Sequence, residues 1–285
     1  MYFSLILGTL NRTDELEFFL ESLLIQSFNS FELIVVDQNT TLDISLLIEK
    51  YKSKFQIIHL KSKKGLSKAR NLGIKHASGE WLAFPDDDCE YQKDTLEKLK
   101  TIIENNPNIN GLSTLVIDKN GKFSAGGFMS GTRQIITRKN IWRTTVSSSV
   151  FVKKSDIKSA CFDEILGVGA GGNFSSGEES DYLLQLIEHD MFNILYIPDV
   201  IIYHPAYSGP WNKTKIQQGF YYGCGMGAVL RKHHYNILNV LWFVFLQFIR
   251  FVQCFLMFKL NKSFFHFNMA LGRLFGFNRY KSIKR

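Results

Sequence analysis

The stretch GLSKARNLGIKHASGEWLAFPDDDC, residues Gly65–Cys89, decides how this chain is interpreted. Its first part has the apolar spacing of a helix, and EWLAF is typical of a buried strand. Three aspartates follow that strand directly, and adjacent carboxylates repel one another. Either solvent or a bound cation must therefore neutralise them. The stretch alone is compatible both with a solvated turn and with a cation site that holds an anionic substrate.

Strand and helix signals alternate on both sides of this stretch, over the first hundred residues. Predicted strands are Phe3–Leu7, Phe31–Asp37, Phe55–Leu60 and Glu80–Phe84, and predicted helices are Glu15–Ser27, Leu42–Tyr51, Leu66–Ala77 and Lys93–Asn106. This alternation predicts an α/β fold with a mostly parallel, Rossmann-like sheet and helices on both faces. We expect this domain to cover 1–210, with one half at about 1–110 and a second half at about 111–210.

Polar residues suited to a nucleotide follow each of the four predicted strands. Ligands bind at the carboxyl ends of the strands in such sheets, and these ends share one edge. Carboxylates can contact a base or a ribose, and cations can contact phosphate. The residues concerned are Thr9, Asn11 and Arg12 after the first strand, Asp37–Thr40 after the second, Lys61–Ser67 after the third and Pro85–Cys89 after the fourth.

The segment KKGLSKARN allows two interpretations. It could be an ordinary helix start, with Ser67 near the N-cap and the lysines in solvent. Alternatively, Lys63, Lys64 and Arg70 surround a phosphate near the helix N-terminus, where backbone N–H groups add to the attraction. Arg12 and Asn71 are further candidate nucleotide contacts.

A second acidic motif, GEESD, follows a glycine-rich loop and opens a helix predicted over Glu179–His189. A helix N-terminus favours ionised carboxylates, so Glu178, Glu179 and Asp181 are candidate general bases. We expect Glu179 to be the base and Glu178 to bind acceptor hydroxyls or to position the base, with Asp181 as the reserve candidate. The alternative is a charged capping turn.

The C-terminal region, 211–285, has a different composition from the rest. From Val200 onward the chain has 12 Lys/Arg and no Asp or Glu, although the net charge of the whole protein is only +8. Ile237–Phe258 is long enough to span a bilayer, but Asn239, Gln247, Arg250 and Gln253 fall within one helical stripe. Such a stripe favours a helix that lies in the membrane interface or packs on the protein. We expect contact with an anionic membrane surface, to which Arg231–His234 would contribute.

Five motifs together resemble family 2 glycosyltransferases with a GT-A fold. They are LILGTLNR, LIVVDQNTT, the stretch Gly65–Cys89, GEESDYLLQL and IIYHP, and they stand in the family's order over roughly 3–205. The resemblance implies transfer of a sugar from a nucleotide-sugar with inversion at the anomeric carbon. It makes 1–210 the catalytic domain, with a nucleotide-sugar half at about 1–110 and an acceptor half at about 111–210. The family pattern at the acidic motif is usually Glu-Asp, whereas this chain has Glu-Glu.

The resemblance also implies a metal site for Mn²⁺ or Mg²⁺. Oxygen ligands on such a cation would neutralise the donor diphosphate. Asp88 would contact the metal directly, Asp86 would face the ribose or a metal-bound water, and Asp87 would fill the variable middle position. His204 would complete the metal shell through a neutral ring nitrogen.

Donor and acceptor expectations come from the same resemblance. Asp37 would accept a hydrogen bond from N3–H of uracil, which favours a UDP-sugar. The full set of expected nucleotide-sugar contacts is Thr9, Asn11, Arg12, Asp37, Lys64, Gly65, Arg70, Asn71, Asp86 and Asp87. The expected acceptor is a glycan or a lipid-linked glycan in cell-surface polysaccharide synthesis, and Trp142 and Arg143 are its candidate contacts.

Two other functions fit parts of the sequence. A nucleotidyltransferase also uses carboxylate-bound metal, but it does not explain GEESD. A nucleotide- or nucleic-acid-binding protein without turnover would use the basic C-terminal region; we expect no nucleic acid. The scattered cysteines favour a reducing compartment, and the N-terminus is interpreted as a strand, without a signal peptide. We therefore expect a cytoplasmic protein, peripheral or monotopic at the inner face of a bacterial plasma membrane.

Overall fold

The computed structural model describes residues 1–123, 129–190 and 192–280. These residues form two compact units. The first unit contains Met1–Lys64, Lys68–Cys161 and Tyr182–Tyr207. The second contains Gly65–Ser67, Phe162–Asp181 and the chain from Ser208 onward. The predicted domain boundary at residue 210 stays a prediction.

The first unit is built on one sheet, which has nine strands within the described residues. The strand order is β3-β2-β1-β4-β8-β6-β9-β5, and β7 pairs with β9. The strands are β1 (Phe3–Thr9), β2 (Phe31–Asp37), β3 (Gln56–Lys61), β4 (Trp81–Ala83), β5 (Glu90–Tyr91), β6 (Gly111–Ile117), β7 (Gln134–Ile135), β8 (Val150–Lys153) and β9 (Ile194–Tyr203).

Parallel pairing dominates the half of the sheet that carries the polar strand ends. Strands β3, β2, β1 and β4 are all parallel, and β6 pairs with β9 in the same way. Strand β8 runs antiparallel between β4 and β6. Every residue of β2 is buried, as expected for a central strand covered on both faces. The predicted α/β, GT-A-type fold class is confirmed.

Four helices of the first unit alternate with these strands, and a fifth opens at the acidic motif. They are α1 (Asp14–Leu24), α2 (Ser45–Lys52), α3 (Leu66–His76), α4 (Thr95–Glu104) and α5 (Glu178–Asp190). The first turn of α5, like the first two residues of α3, belongs to the second unit. Each helix lies where the sequence predicts it, with ends that differ by up to three residues, as ends usually do.

Strand β9 continues through Pro198 as one strand, Ile194–Tyr203. Its pairing with β6 shifts register between Thr114 and Leu115, so that Ile197 pairs with Thr114 and Ile201 with Leu115. Proline has no N–H to donate to a neighbouring strand, and the irregularity accommodates it without ending β9.

The second unit contains three 20-residue helices, α6 (Lys213–Lys232), α7 (Ile237–Leu256) and α8 (Leu260–Arg279). Helices α6 and α8 approach closely through glycines spaced four residues apart. A Cβ atom on Gly223 would lie 2.3 Å from the Met269 carbonyl oxygen, and one on Gly276 would lie 2.1 Å from that of Cys224. Small residues at this spacing allow backbone contact between helices, a common arrangement in membrane proteins.

Helix α7 buries Gln247 and exposes many large apolar side chains. The Gln247 Oε1 atom lies 2.8 Å from Nδ1 of His266 on α8. The exposed large apolar side chains are Ile237, Leu238, Leu241, Trp242, Phe245, Phe248, Ile249, Val252, Phe255 and Leu256. Asn239 and Gln253 are exposed and Gln247 is buried, so the predicted polar stripe does not face one environment. By length and composition, α7 is long and apolar enough to cross a bilayer, with a mean hydropathy of 1.7.

Candidate functional site

Three strand ends of the first unit bring polar residues into one row. Thr9, at the end of β1, pairs in register with Asp37 at the end of β2, and Asp37 pairs with Lys61 at the end of β3. Strand β4 is parallel to β1, and its chain continues into Pro85 and the three aspartates. The register of the sheet therefore places the predicted nucleotide-binding residues at its carboxyl edge, as the sequence predicts.

Asp87 faces the end of β1. Its Oδ2 atom accepts a hydrogen bond of 2.8 Å from the Thr9 hydroxyl, and its Oδ1 atom accepts one of 2.7 Å from Arg12 Nη1. Burial raises the pKa of Asp87 to about 6, although Arg12 and Thr9 act in the opposite direction. The middle aspartate therefore joins two neighbouring strand ends of the sheet.

Asp88 lies between two positively charged or protonatable groups. Its Oδ2 atom is 2.5 Å from Arg12 Nη1, and its Oδ1 atom is 3.0 Å from His204 Nε2. Burial alone would raise the pKa of Asp88, but the contacts with His204 and Arg12 lower it to about 2. Asp88 is thus ionised at neutral pH, as a ligand of a divalent cation must be.

His204, directly after β9, has the orientation of a metal-binding imidazole. Its Nδ1 atom lies 3.0 Å from the carbonyl oxygen of Pro205, and its Nε2 atom lies 3.0 Å from Asp88 Oδ1. Both oxygens can only accept a hydrogen bond, so both ring nitrogens are placed to donate one. The Nε2 atom faces Asp88 and lies 3.7 Å from Asp86 Oδ2. Burial lowers the pKa of His204, but the two carboxylates outweigh burial and raise it. In the neutral imidazole, the Nε2 lone pair would point toward the aspartates.

Asp86 is the third aspartate at this edge of the sheet. Its Oδ1 atom accepts a hydrogen bond of 3.2 Å from Arg70 on α3, and its Oδ2 atom accepts one of 3.3 Å from the Ser147 hydroxyl. Ligand atoms of Asp86, Cys89 and His204 all lie within 4.8 Å of one another. Carboxylate and imidazole groups at this separation suit a divalent cation such as Mn²⁺. Burial raises the pKa of the Cys89 thiol, which favours its neutral form.

Asp37 is buried and has partners on both oxygens. Its Oδ1 atom accepts from the backbone N–H and the side-chain amide of Asn39, each at 2.8 Å. Its Oδ2 atom lies 2.7 Å from Lys61 Nζ and 3.1 Å from His59 Nε2. Burial works to raise the pKa of Asp37, but these partners lower it. The carboxylate expected to contact the base is therefore held ionised, beside a lysine whose side chain is exposed.

The remaining expected nucleotide contacts lie in the loops after β1 and β3 and on helix α3. Asn11 has a positive φ of 56°, and its N–H donates to Asn39 Oδ1 at 2.6 Å. Lys64 is exposed, Gly65 has a φ of 136° that favours glycine, and Asn71 follows Arg70 on α3. Gly65 belongs to the second unit and the others to the first.

The acidic motif lies in the second unit, on the first turn of α5. Glu178 is buried next to Gly167, where a Cβ atom would lie 2.9 Å from the Glu178 Cδ atom. Glu179 is half-buried, and Asp181 is fully buried. Asp181 Oδ2 lies 2.9 Å from Lys232 Nζ, and its Oδ1 lies 2.8 Å from His233 Nε2.

The candidate acceptor residues lie on a short 3-10 turn, Ile141–Arg143. Trp142 is half-buried and Arg143 is exposed. Ser147, the partner of Asp86, lies only four residues beyond Arg143 in the chain. Residues 124–128 and 191 of the expected acceptor half, about 111–210, lie outside the described part of the structure.

Several side-chain contacts of the site were not expected from the sequence, although Asn39, Lys61 and Cys89 lie in the strand-end segments that it singles out. The contacts are those of Asn39, His59 and Lys61 with Asp37, of Ser147 and Cys89 around Asp86, and of Lys232 and His233 with Asp181. The contacts of His59 and Lys61 had a sequence signal. The two residues lie two apart on one strand, so their side chains are on the same face of the sheet, and this strand ends beside β2. For the others, only the three-dimensional structure brings the residues together.

The sequence model described as Glycosyl transferase family 2 matches residues 4–155, more than half of the chain. An uncharacterized glycosyltransferase from Haemophilus influenzae is 27% identical over 205 residues, which cover 70% of this chain and 67% of the relative. Three glycosyltransferases from Rickettsia are 37–39% identical over 123–134 residues. The chain covers only 18–22% of the length of those three relatives.

Two solved structures share the fold at low sequence identity. The crystal structure of S. aureus TarS 1-349 in complex with UDP-GlcNAc has a TM-score of 0.59 and 21% identity, over 82% of this chain and 71% of that one. The mannosyltransferase PcManGT from Pyrobaculum calidifontis, in complex with GDP-Man and Mn²⁺, has a TM-score of 0.60 and 14% identity, over 80% and 64%. With the matching sequence model, the strand order and the carboxylates at the sheet edge, these findings show that the chain belongs to glycosyl transferase family 2.

Proposed function

We propose that the chain is an inverting, metal-dependent glycosyltransferase that moves a sugar from a nucleotide-sugar to a glycan or lipid-linked glycan. One observation carries the proposal. Asp86, Asp88 and His204 converge at the carboxyl edge of the sheet, with Arg12 and Arg70 in contact with the carboxylates. Three acids in a solvated turn would not need a buried arginine and an imidazole beside them. A cation site explains why they are held together.

Ligand atoms of Asp86, Cys89 and His204 lie close enough together to hold a divalent cation, and Asp88 Oδ1 lies 3.0 Å from His204 Nε2. A bound Mn²⁺ or Mg²⁺ would neutralise the donor diphosphate in the ground state and as a leaving group. In this structure Arg12 lies beside Asp87 and Asp88, where its positive charge favours their ionised forms. Support for the metal also comes from PcManGT, whose structure contains GDP-Man and Mn²⁺.

The donor is proposed to be a UDP-sugar. A carboxylate such as Asp37, buried and held ionised by Lys61 and Asn39, can accept the N3–H proton of uracil. TarS in complex with UDP-GlcNAc supports this choice, although GDP-Man in PcManGT shows that the fold also binds another nucleotide. Thr9, Asn11, Lys64, Gly65, Arg70 and Asn71 are proposed as the other donor contacts.

Glu179 is proposed as the general base. It would accept the proton of the acceptor hydroxyl while the oxygen attacks the anomeric carbon and the bond to the diphosphate breaks. A single displacement of this kind inverts the anomeric centre. Glu179 is half-buried, whereas Glu178 is buried against Gly167, so Glu179 is the more accessible of the two. Glu178 would then bind acceptor hydroxyls or position the base.

A donor screen tests this function. Purified protein is incubated with UDP-, dTDP- and GDP-sugars, with and without Mn²⁺, and the release of nucleoside diphosphate is measured. We expect release from a UDP-sugar that depends on the metal. Release of pyrophosphate from a nucleoside triphosphate and a sugar phosphate would instead show a nucleotidyltransferase. Nucleotide binding without turnover of any donor would favour a binding protein.

We further propose that α7 and α8 rest on an anionic phospholipid surface at the cytoplasmic face of the plasma membrane. Two features support an interfacial position for the helix pair. The exposed side of α7 is apolar and aromatic, while its buried side carries Gln247. The sequence from Val200 onward has 12 basic and no acidic residues, which suits anionic headgroups and a lipid-linked acceptor.

Replacing Trp242 and Phe245 together by glutamate should release the protein from membranes. Each buried aromatic contributes about 1.5–3 kcal/mol, so cosedimentation with phosphatidylglycerol-containing vesicles should fall by roughly tenfold or more. Leu46→Glu is the matched control, because Leu46 is 86% exposed on α2 of the first unit. Unchanged cosedimentation of the double variant would contradict the membrane proposal.

A further inference from the structure

A buried ionic cluster lies at the C-terminal end of α6, entirely within the second unit. Lys232 Nζ lies 2.9 Å from Asp181 Oδ2 and 2.8 Å from Asp163 Oδ2. His233 Nε2 lies 2.8 Å from Asp181 Oδ1, and the Tyr280 hydroxyl donates to Asp163 Oδ2 at 3.0 Å. Asp181 is fully buried, so its negative charge depends on these partners.

Asp181 is on the same helical turn as the candidate base. It lies two residues after Glu179 and three after Glu178, and its backbone N–H donates to the Gly177 carbonyl at 2.8 Å. Both carboxylate oxygens of Asp181 face cationic or protonatable groups of α6. A carboxylate engaged in this way is suited to holding the turn in place and not to accepting a proton from an acceptor.

The loop before this turn is also fixed to α6. The Ser176 hydroxyl donates to the Tyr222 carbonyl at 2.8 Å. A Cβ atom on Gly225 would lie 2.2 Å from the Ser176 carbonyl oxygen, so the loop backbone lies directly against the helix. Gly177 has a φ of 87°, and a Cβ atom there would lie 2.9 Å from Val229 Cγ2. The loop and the turn are therefore held at several successive points along α6.

We propose that Lys232 and His233 are positioning residues, which act through Asp181 to set the placement of Glu178 and Glu179. This rests on the proposed function of Glu179 as the base. The proposal gives the basic end of α6 a role in the transfer reaction. From its composition, the segment Arg231–His234 is expected to face lipid headgroups, but it supplies two partners of the buried Asp181. Helix α7 begins only four residues after His233.

The test compares Lys232→Met with Lys232→Arg, which keeps the charge, and with Lys213→Met, which removes an exposed charge at the other end of α6. Lys232→Met should lower kcat on the order of 10²-fold, since a misplacement near 1 Å has this effect, with the donor KM unchanged. Backbone hydrogen exchange over 175–181 should accelerate in the same variant. Lys232→Arg should restore both quantities, and Lys213→Met should leave both unchanged.

Hydrogen exchange separates this proposal from the proposed function, because it needs no activity. If Lys232→Met exchanges over 175–181 like the unsubstituted protein and keeps its kcat, the positioning role is overturned. If exchange accelerates while Glu179→Gln leaves transfer intact, Lys232 does hold the turn in place, but Glu179 is not the base. The catalytic positioning role is then overturned. Should Lys232→Met fail to fold, Asp181→Asn replaces it. Asparagine has the same shape without the charge, and the same exchange and kcat changes are expected.

Discussion

Asp88→Ala should lose transfer activity by roughly 10³-fold or more, because a metal ion at the diphosphate contributes several kcal/mol to the reaction. Asp88 is the carboxylate that both Arg12 and His204 contact, and its pKa of about 2 keeps it ionised at neutral pH. The measurements are the initial rate of nucleoside diphosphate release and calorimetric binding of UDP in the presence of Mn²⁺. We expect both to be lost together.

Asp87→Asn is the matched comparison for Asp88. Asparagine keeps a carbonyl that can accept from Thr9, and Asp87 already has a pKa raised to about 6 by burial. We therefore expect a smaller loss, roughly 10- to 100-fold, since one hydrogen bond to a charged group contributes about 1.5–3 kcal/mol. If Asp87→Asn were the more damaging variant and Asp88→Ala still bound UDP with Mn²⁺, the assigned metal ligand would be wrong.

Glu179→Gln should lower the rate of transfer by roughly 10²–10⁴-fold, the usual contribution of a general base. The amide has the shape of the carboxylate but cannot take a proton from the acceptor hydroxyl. Binding of UDP should be unchanged, because Glu179 is assigned no contact with the nucleotide. The measurement is the pre-steady-state or single-turnover rate at saturating donor, together with the dissociation constant of UDP.

Glu178→Gln distinguishes the two neighbouring acids. Glu178 is buried against Gly167, so its replacement should act mainly on the acceptor KM. If Glu178→Gln stops transfer and Glu179→Gln does not, the roles of the two residues are exchanged. If neither variant changes turnover, the motif is a charged capping turn, and a binding protein or a nucleotidyltransferase becomes the better account.

The sequence predicts well which polar residues meet at the carboxyl edge of the sheet, for a physical reason. Parallel pairing aligns strand ends, so residues that follow separate strands must meet at one edge. Thr9, Asp37 and Lys61 pair in register there, and Asp87 reaches Thr9 by a direct hydrogen bond. The periodicity and the alternation of strands with helices were sufficient to predict that these residues meet, without knowledge of any side-chain conformation.

Side-chain pairing in the second unit could not be predicted in this way. Composition suggests that Lys232 and His233 face anionic headgroups, but both contact the buried Asp181. The asparagines and glutamines of α7 suggest one polar stripe, but Gln247 turns inward to His266. Composition describes a segment's average surroundings, whereas these contacts depend on how α6, α7 and α8 pack.

The close approach of α6 and α8 did have a sequence signal. Gly219, Gly223 and Gly227 are spaced by four residues on α6, and Gly272 and Gly276 have the same spacing on α8. Glycine is a poor helix former, so its regular recurrence inside a helix indicates that a neighbouring backbone needs the space. This signal predicts a tight helix pair, although it does not identify the partner helix.

The most direct test of the central claim is calorimetric titration of UDP into the purified protein, with and without Mn²⁺. If Asp86, Asp88 and His204 form a cation site for the donor diphosphate, UDP should bind in the presence of Mn²⁺ and bind at least about tenfold more weakly after chelation, a difference of about 1.4 kcal/mol or more. Equal affinity in both conditions, or the absence of UDP binding with the metal present, would contradict the account.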